Sequence, residues 1–214
     1  MKVPPDAPDF LFDGPEDAPL TLALAHGAGA PMDSDFMTVI ARNVAARGWR
    51  VARFEFPYMA ARRRDGRRRP PDRAPKLLDA WRTIIAAIGP DRLVIGGKSL
   101  GGRMASMVVD ESGVHGLVCL GYPFHPPGKP DRLRTAHLQE LRTPALIVQG
   151  TRDPFGTFEE VPGYDLSPAI RVCWIEDGDH DQKPRKSSGR TRDQNWDAVA
   201  EAVSGFLAEV AAQS

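Results

Sequence analysis

The segment 96–102 has the composition of a tight turn that presents a nucleophile. It contains the pattern Gly97-x-Ser99-x-Gly101, preceded by a short apolar run and followed by small residues. A serine on a strained turn between a buried strand and a helix exposes its hydroxyl, and a side chain at either flanking glycine would collide with neighbouring backbone. The pattern therefore predicts that Ser99 is a nucleophile.

A base and an acid follow in the order that such a nucleophile needs. A serine hydroxyl reacts poorly at neutral pH unless a neighbouring base takes its proton. His180 lies in a polar loop after the apolar run 170–175, and Asp153 lies four residues beyond the apolar run 145–149. We expect His180 to take the Ser99 proton and Asp153 to fix the tautomer of His180.

A third element is the loop 26–29, which reads His-Gly-Ala-Gly after the first long apolar run. Acyl transfer needs backbone amides that stabilise the oxyanion, one from such a loop and one from the residue after the nucleophile. This assigns Ala28 and Leu100 to the oxyanion hole. His26 and His125 are candidates to line the substrate site, although a structural hydrogen-bonding role for His26 and a rigid proline-rich loop around His125 are the alternatives.

A phosphate-binding loop is the main competing interpretation of the serine turn. Gly97, Lys98 and Ser99 match the end of a Walker A motif, but the first glycine of that motif would be residue 92, which is arginine. The residues before Gly97 form an apolar run, which leaves no room for a loop around phosphates. We therefore expect no nucleotide at this turn. A serine hydrolase also needs no metal or other cofactor, so none is expected.

The elements that must position these residues alternate along the chain. Apolar runs typical of strands occupy 20–25, 50–56, 93–97, 116–120, 145–149 and 170–175, with an antiparallel partner near 10–12. Helical spacing occupies 33–47, 72–88, 100–110 and the segment from Asn195 onward, with a weaker pattern at 132–140. The alternation predicts one α/β domain over residues 1–214, with a mostly parallel sheet of about seven strands and helices on both faces. The segment between 120 and 145 is too short for a lid domain.

Composition limits the function classes. Basic and acidic residues number 28 each, so the chain as a whole is not a basic nucleic-acid binder. The segment 62–69 holds six arginines and is either a solvated loop or a patch that attracts anionic substrates or nucleic acid.

Cys119 and Cys173 lack metal-binding or redox spacing, which is typical of reduced thiols in a cytoplasmic protein. The sequence has no apolar stretch of membrane-spanning length.

The motifs together resemble the α/β-hydrolase superfamily over almost the whole chain. The matching strings are HGAG at 26–29, GGKSLGGRMAS at 96–106, GYPFHPPGKP at 121–130, GTRDPFG at 150–156 and DGDHD at 177–181. The sequence looks most similar to the small, cap-less branch that includes the testis-expressed and chromatin-complex-subunit hydrolase-like proteins, and more distantly to dienelactone hydrolases. The resemblance implies a cap-less α/β-hydrolase fold and the triad Ser99, Asp153 and His180. A dienelactone hydrolase carries cysteine where this chain has Ser99.

The sequence therefore predicts a cytoplasmic serine hydrolase that cleaves a small carboxylic ester through an acyl-enzyme. The alternatives are a scaffold that keeps the fold without the chemistry, or a nucleic-acid-associated protein that uses the arginines of segment 62–69. Binding of nucleic acid or membrane is not expected.

Overall fold

The computed structural model describes residues 9–213, which are built around a seven-stranded sheet. Its strands are β1 (Phe10–Asp13), β2 (Thr21–Ala25), β3 (Arg50–Phe54), β4 (Leu93–Lys98), β5 (Gly116–Leu120), β6 (Ala145–Gly150) and β7 (Ile170–Ile175). Its helices are α1 (Asp35–Ala45), α2 (Pro57–Asp65), α3 (Ala74–Ile88), α4 (Leu100–Ser106) and α5 (Arg192–Ala211). Single 3₁₀ turns occur at Val109–Glu111, Ala136–Leu138, Val161–Gly163 and Lys186–Ser188.

The strand order explains where a site can form. The order is β1-β3-β2-β4-β5-β6-β7, and every neighbouring pair is parallel except β1 with β3. The chain moves outward from β2 to β3 and then returns to place β4 on the other side of β2. The loops after β2 and β4 therefore diverge, which opens a crevice at the carboxyl ends of these two strands. The predicted sheet and its antiparallel first strand are confirmed.

Helices cover both faces of the sheet. Central strand β4 is buried along its whole length, as expected for a parallel strand covered on both sides. On one face, α1 and α5 pack against the sheet and each other, with Phe36 and Trp196 in edge-to-face contact. On the other face, α3 and α4 pack through a core that includes Trp81 and Met104.

The arginine-rich segment differs from its sequence-based assignment. It was expected to be a loop, but its first half forms α2. Pro57 occupies the first turn, where its missing N–H costs nothing, and Gly66 ends the helix with a left-handed φ of 69°.

Three other boundaries also differ. The last helix begins at Arg192 rather than near Asn195, because Thr191 and Gln194 form a capping box. α4 ends at Ser106, and the following residues form a 3₁₀ turn. The segment between β5 and β6 contains one 3₁₀ turn instead of a helix over 132–140, and it forms no separate cap.

Cys119 and Cys173 are free thiols. Across residues 9–213, no helix combines the length and hydrophobicity needed to cross a bilayer.

Candidate active site

Ser99 lies at the junction of β4 and α4 with a strained backbone. Its φ of 50° and ψ of −109° fall in a region that non-glycine residues rarely adopt. The turn is held from both sides, because the Ser99 amide donates to the Leu120 carbonyl at 3.0 Å and the Ser99 carbonyl accepts from the Arg103 amide at 3.0 Å. Strain of this kind persists only where surrounding structure enforces it, and it commonly marks functional sites.

The glycines on either side of Ser99 are required by close backbone contacts. A Cβ atom at Gly97 or Gly101 would lie inside the contact distance of the Ala25 carbonyl oxygen, which belongs to neighbouring strand β2. The turn therefore fits against β2 only without side chains at these two positions. This is the collision that the sequence pattern predicts.

The three residues predicted to work together form one continuous chain of hydrogen bonds. The Ser99 Oγ lies 2.9 Å from Nε2 of His180, and Nδ1 of His180 lies 2.8 Å from Oδ2 of Asp153. Asp153 is fully buried, whereas Ser99 and His180 are partly exposed. The Ser99 hydroxyl thus lies at the solvent-accessible end of this series of hydrogen bonds, and the Asp153 carboxylate is shielded from water.

Contacts between the loops after β6 and β7 fix the Asp153–His180 pair. The second carboxylate oxygen of Asp153 accepts the Phe155 amide at 2.9 Å. The Phe155 ring lies against the imidazole of His180, with a centroid separation of 4.2 Å. The Arg152 amide donates to the Gly178 carbonyl at 2.9 Å. Both carboxylate oxygens of Asp153 and one face of the His180 ring are therefore held by contacts within and between these two loops.

The other aspartates near His180 have different partners. Asp177 is bound by Arg185 and Arg152, and hydrogen bonds from Arg185 hold the pKa of its carboxyl below the ordinary value. One Asp179 oxygen accepts backbone amides of its own turn, from Asp181 at 2.8 Å and Lys183 at 2.9 Å. Asp153 is the carboxylate that contacts the imidazole of His180.

Hydrogen bonds to the carbonyls of the loop 26–29 determine where its backbone amides point. Nδ1 of His26 donates to the Gly27 carbonyl at 2.6 Å, and the Tyr58 hydroxyl donates to the Ala28 carbonyl at 3.0 Å. In a trans peptide the C=O and N–H groups point in opposite directions. Holding the Gly27 carbonyl therefore turns the Ala28 amide away from His26. The Leu100 amide, at the first position of α4, has no intrahelical acceptor.

The two histidines proposed to line the substrate site are buried elsewhere. His26 has no exposed surface, its Nε2 accepts the Phe56 amide at 3.1 Å, and burial lowers the pKa of its imidazole. His125 is also buried, 3.4 Å from a carboxylate oxygen of Glu160. Neither belongs to the lining of the cavity beside Ser99. His26 instead supports the loop 26–29.

Sequence reasoning missed a role for Lys98, the residue before the nucleophile. Its side chain is almost completely buried, and Nζ donates to the His180 carbonyl and lies 3.5 Å from Oδ1 of Asp181. Burial lowers the pKa of this ammonium, while the carboxylates of Asp181 and Asp153 oppose that shift. Lys98 thus ties the turn of Ser99 to the histidine loop. A lone charge at the end of an otherwise apolar strand was the available signal.

A cavity of about 340 Å³ opens beside Ser99. Its lining combines glycines and alanines of the loop after β2 with the apolar side chains of Phe36, Met37 and Phe155. The polar part of the wall consists of Ser34, Lys98, Ser99, His180 and Asp181. A volume at the low end of the range for ligand pockets suits a small acyl or alcohol group.

The arginines of segment 62–69 are partly used within the molecule. Arg63 pairs with Glu55 and Asp33, and Arg69 pairs with Asp65. α2 lies next to the loop 26–29 but not in the cavity lining. The alternative of nucleic-acid binding through this segment stays a prediction.

Comparisons with known proteins agree with this architecture. The sequence model of the alpha/beta hydrolase domain family matches residues 18–208. A lid-less α/β serine hydrolase, XC6422 from Xanthomonas campestris, shares 19% identity with a TM-score of 0.69, covering 92% of this chain and 88% of that one. A dienelactone hydrolase from Anabaena variabilis shares 19% identity with a TM-score of 0.71, covering 94% and 90%. Est1E from Butyrivibrio proteoclasticus shares 15% identity with a TM-score of 0.69, covering 99% and 98%. At these identities the likeness concerns the fold.

Proposed function

Because the chain belongs to the alpha/beta hydrolase domain family, we propose that it is a serine hydrolase that cleaves small carboxylic esters through an acyl-enzyme. The observation that carries the proposal is the continuous hydrogen-bonded chain from the Ser99 hydroxyl through His180 to the buried Asp153. Nucleophile, base and orienting acid each occupy the position that their role requires.

In the acylation step, the Ser99 Oγ attacks the ester carbonyl carbon while its proton passes to Nε2 of His180. The carbonyl oxygen becomes an oxyanion that accepts hydrogen bonds from the amides of Ala28 and Leu100. Collapse of this intermediate breaks the bond to the alcohol oxygen, which takes the proton from His180 and leaves. Asp153 stabilises the imidazolium that forms between these events.

In the deacylation step, water replaces the alcohol. His180 takes one proton from the water as its oxygen attacks the acyl-serine carbonyl carbon. The second tetrahedral intermediate collapses to the carboxylic acid, and the proton returns to Ser99. Groups of this chain and one water molecule thus complete the catalytic cycle.

The surroundings of Ser99 favour a small ester. The fold has no separate cap, and the cavity beside Ser99 is small and largely apolar. Two of the structural neighbours are a lid-less serine hydrolase and a dienelactone hydrolase, which supports serine-based hydrolysis of an ester or lactone. Membership of the testis-expressed-like branch and a cytoplasmic location stay predictions.

The experiment that tests the proposal is hydrolysis of a panel of short p-nitrophenyl esters, thioesters and lactones by wild-type protein and Ser99→Ala. We expect the wild type to hydrolyse the short esters. The rate of Ser99→Ala should be about a million-fold lower, and the circular dichroism spectrum of the variant should match that of the wild type. Equal activity of the two proteins would reject Ser99 as nucleophile. An inactive wild type that also fails to react with a serine-directed fluorophosphonate would favour the scaffold interpretation.

A further inference from the structure

The positive charge of this neutral protein is concentrated in one segment. Residues 57–76 hold eight of the 28 basic residues but only two of the 28 acidic residues, so the remainder of the chain has an excess of six acidic residues. The segment comprises α2, the turn after it and the start of α3. An uneven distribution of this kind creates a local potential that attracts a partner of opposite charge even where the net charge is zero.

Part of this positive charge is not neutralised within the molecule. Of the six arginines in the segment 62–69, Arg63 and Arg69 pair with carboxylates. The other four form no ion pair within residues 9–213, and three of these four are exposed to solvent. The four are Arg62, Arg64, Arg67 and Arg68, which we call the arginine surface.

Hydrogen bonds give the arginine surface a defined backbone. Oδ1 of Asp65 accepts the Arg67 amide at 3.0 Å and Nη1 of Arg69 at 2.7 Å, which closes the turn after α2. Gly66 ends the helix in the left-handed conformation that this turn requires. The single carboxylate of the turn is therefore used to hold its backbone, whereas the guanidiniums of Arg67 and Arg68 stay unpaired.

The helix dipole explains only part of this arrangement. Basic side chains in the last turn of a helix offset the negative end of its dipole, which accounts for the arginines at 62–64. Arg67 and Arg68 lie beyond the helix and have no such role. Neighbouring exposed cations repel each other, so the fold itself gives no reason for this pair.

The arginine surface has no apolar component. None of the large apolar side chains that are exposed to solvent belongs to residues 57–76. Insertion into a lipid bilayer and stacking on unpaired bases both use exposed aromatic or aliphatic side chains. The excess of acidic residues in the remainder of the chain also opposes an extended polyanion, such as a nucleic-acid duplex, that reaches beyond the arginine surface. A short anionic ligand avoids this repulsion.

We propose that the arginine surface is a docking site for an acidic polypeptide segment, a short run of glutamate or aspartate side chains in a partner protein. All four of its cations are arginines rather than lysines, and the planar fork of a guanidinium matches the paired oxygens of a carboxylate. The segment binds by charge alone, with its carboxylates taking the place of the ion-pair partners that the fold does not supply.

The arginine surface adjoins the cavity beside Ser99. Nη1 of Arg62 lies 3.5 Å from the carbonyl oxygen of Gly29, a residue of the cavity lining. The next residue, Arg63, pairs with Asp33, which directly precedes another residue of that lining. A docked acidic segment therefore lies beside the cavity and can present an ester to it.

Fluorescence anisotropy with a labelled glutamate peptide of about ten residues tests docking without requiring hydrolase activity. We expect the wild type to bind the peptide at low ionic strength, with an affinity that falls as added salt screens the exposed charges. Arg67→Gln combined with Arg68→Gln should weaken binding about tenfold, because two exposed ion pairs are lost. The matched control is Arg42→Gln combined with Arg132→Gln, which removes the same charge from exposed positions elsewhere and should bind as the wild type does.

Two further ligands identify the class of partner. A DNA duplex of about 20 base pairs and vesicles that contain phosphatidylserine should both bind the wild type more weakly than the glutamate peptide does at equal salt concentration. Arg67→Lys combined with Arg68→Lys should keep most of the affinity for the peptide, because it keeps the charge and loses only the guanidinium geometry.

A kinetic comparison rests on the proposed function and tests whether the docked segment can carry the substrate. The pair of substrates is O-butyrylserine flanked by glutamates and the same residue flanked by glutamines. We expect kcat/KM of the wild type to be about tenfold higher for the acidic peptide, and the double glutamine variant to lose this difference. Equal values in the wild type would overturn the role of the segment as a substrate carrier. If neither peptide is hydrolysed, the proposed function fails and the anisotropy result stands.

Three results would overturn the docking site itself. The first is a wild type that does not bind the glutamate peptide at submillimolar concentration and low salt. The second is equal binding by the double glutamine variant and the matched control. The third is tighter binding of the duplex or the vesicles than of the peptide, which would make the arginine surface a nucleic-acid or membrane site.

Discussion

Nδ1 of His180 lies 2.8 Å from Oδ2 of Asp153, although the two residues belong to different loops and only the carboxylate is fully buried. The buried acid can therefore hold one tautomer of the imidazole while the opposite ring nitrogen faces Ser99. We expect Asp153→Asn to keep the fold and to lower turnover of a short ester by about ten-thousand-fold, because the imidazole loses the partner that fixes its tautomer. Steady-state kinetics measures this loss.

Asp177→Asn is the matched control for that substitution. Asp177 lies on the same loop as His180 but bonds to Arg152 and Arg185, so its removal should cost far less turnover. Near-normal turnover of Asp153→Asn would show that another carboxylate orients His180.

Lys98 offers a test of how the two halves of the site are joined. Lys98→Met keeps the length and apolar stem of the side chain but removes the ammonium that holds the His180 carbonyl. A displacement of the imidazole by about 1 Å can cost on the order of 100-fold in rate, so kcat should fall by about that factor with little change in KM. Lys183→Met is the control, because exposed Lys183 also pairs with Asp181 but does not bond to the His180 carbonyl. Equal effects of the two substitutions would remove the positioning role of Lys98.

The hydroxyl of Tyr58 can be removed to test the loop 26–29. Tyr58→Phe deletes the donor to the Ala28 carbonyl and leaves the ring packed. We expect kcat to fall about tenfold, less than the roughly 100- to 1000-fold cost of losing an oxyanion donor outright. Tyr164→Phe provides the comparison, since the buried Tyr164 hydroxyl has no hydrogen-bond partner within residues 9–213. An unchanged kcat in Tyr58→Phe would indicate that the loop keeps its orientation without this bond.

The buried His26 predicts an acid-dependent loss of stability. Burial lowers its pKa in the folded protein, so the unfolded chain binds a proton at a higher pH than the folded chain does. The free energy of unfolding should therefore be fully retained above the ordinary imidazole value of about 6.5 and fall as pH drops below it, by at most about 1.4 kcal/mol per pH unit for one proton.

Urea unfolding between pH 7 and pH 5 measures this slope. His26→Gln should flatten it, and so should His137→Gln, because burial also lowers the pKa of His137. If the free energy of unfolding depends on pH equally in wild type and His26→Gln, His26 binds its proton as readily in the folded protein as in the unfolded chain.

Local sequence patterns were enough to predict the sheet and the positions of Ser99, Asp153 and His180. Each of these residues follows a strongly apolar strand, and the carboxyl ends of parallel strands meet at one edge of the sheet. The glycines around Ser99 also avoid collisions with β2, a strand that the alternation of apolar runs and helical patterns predicts.

The supporting residues could not be predicted because their roles depend on contacts between distant segments. Tyr58 is 30 positions from Ala28, and Lys98 is 82 positions from His180. The lone charge at the end of an apolar strand marks Lys98 as unusual, but the local sequence does not indicate which distant group it binds. His26 and His125 follow strands of the sheet, which makes both candidates for the cavity wall, but strand order does not give the direction of a side chain.

Whether Ser99 is an activated nucleophile is measured most directly by peptide mass spectrometry after reaction of the folded protein with a fluorophosphonate. We expect one phosphonate adduct on the peptide that contains Ser99, formed at neutral pH by the wild type. We also expect His180→Ala to slow the labelling greatly and denatured protein not to be labelled. An unmodified Ser99 peptide in folded, wild-type protein would contradict it.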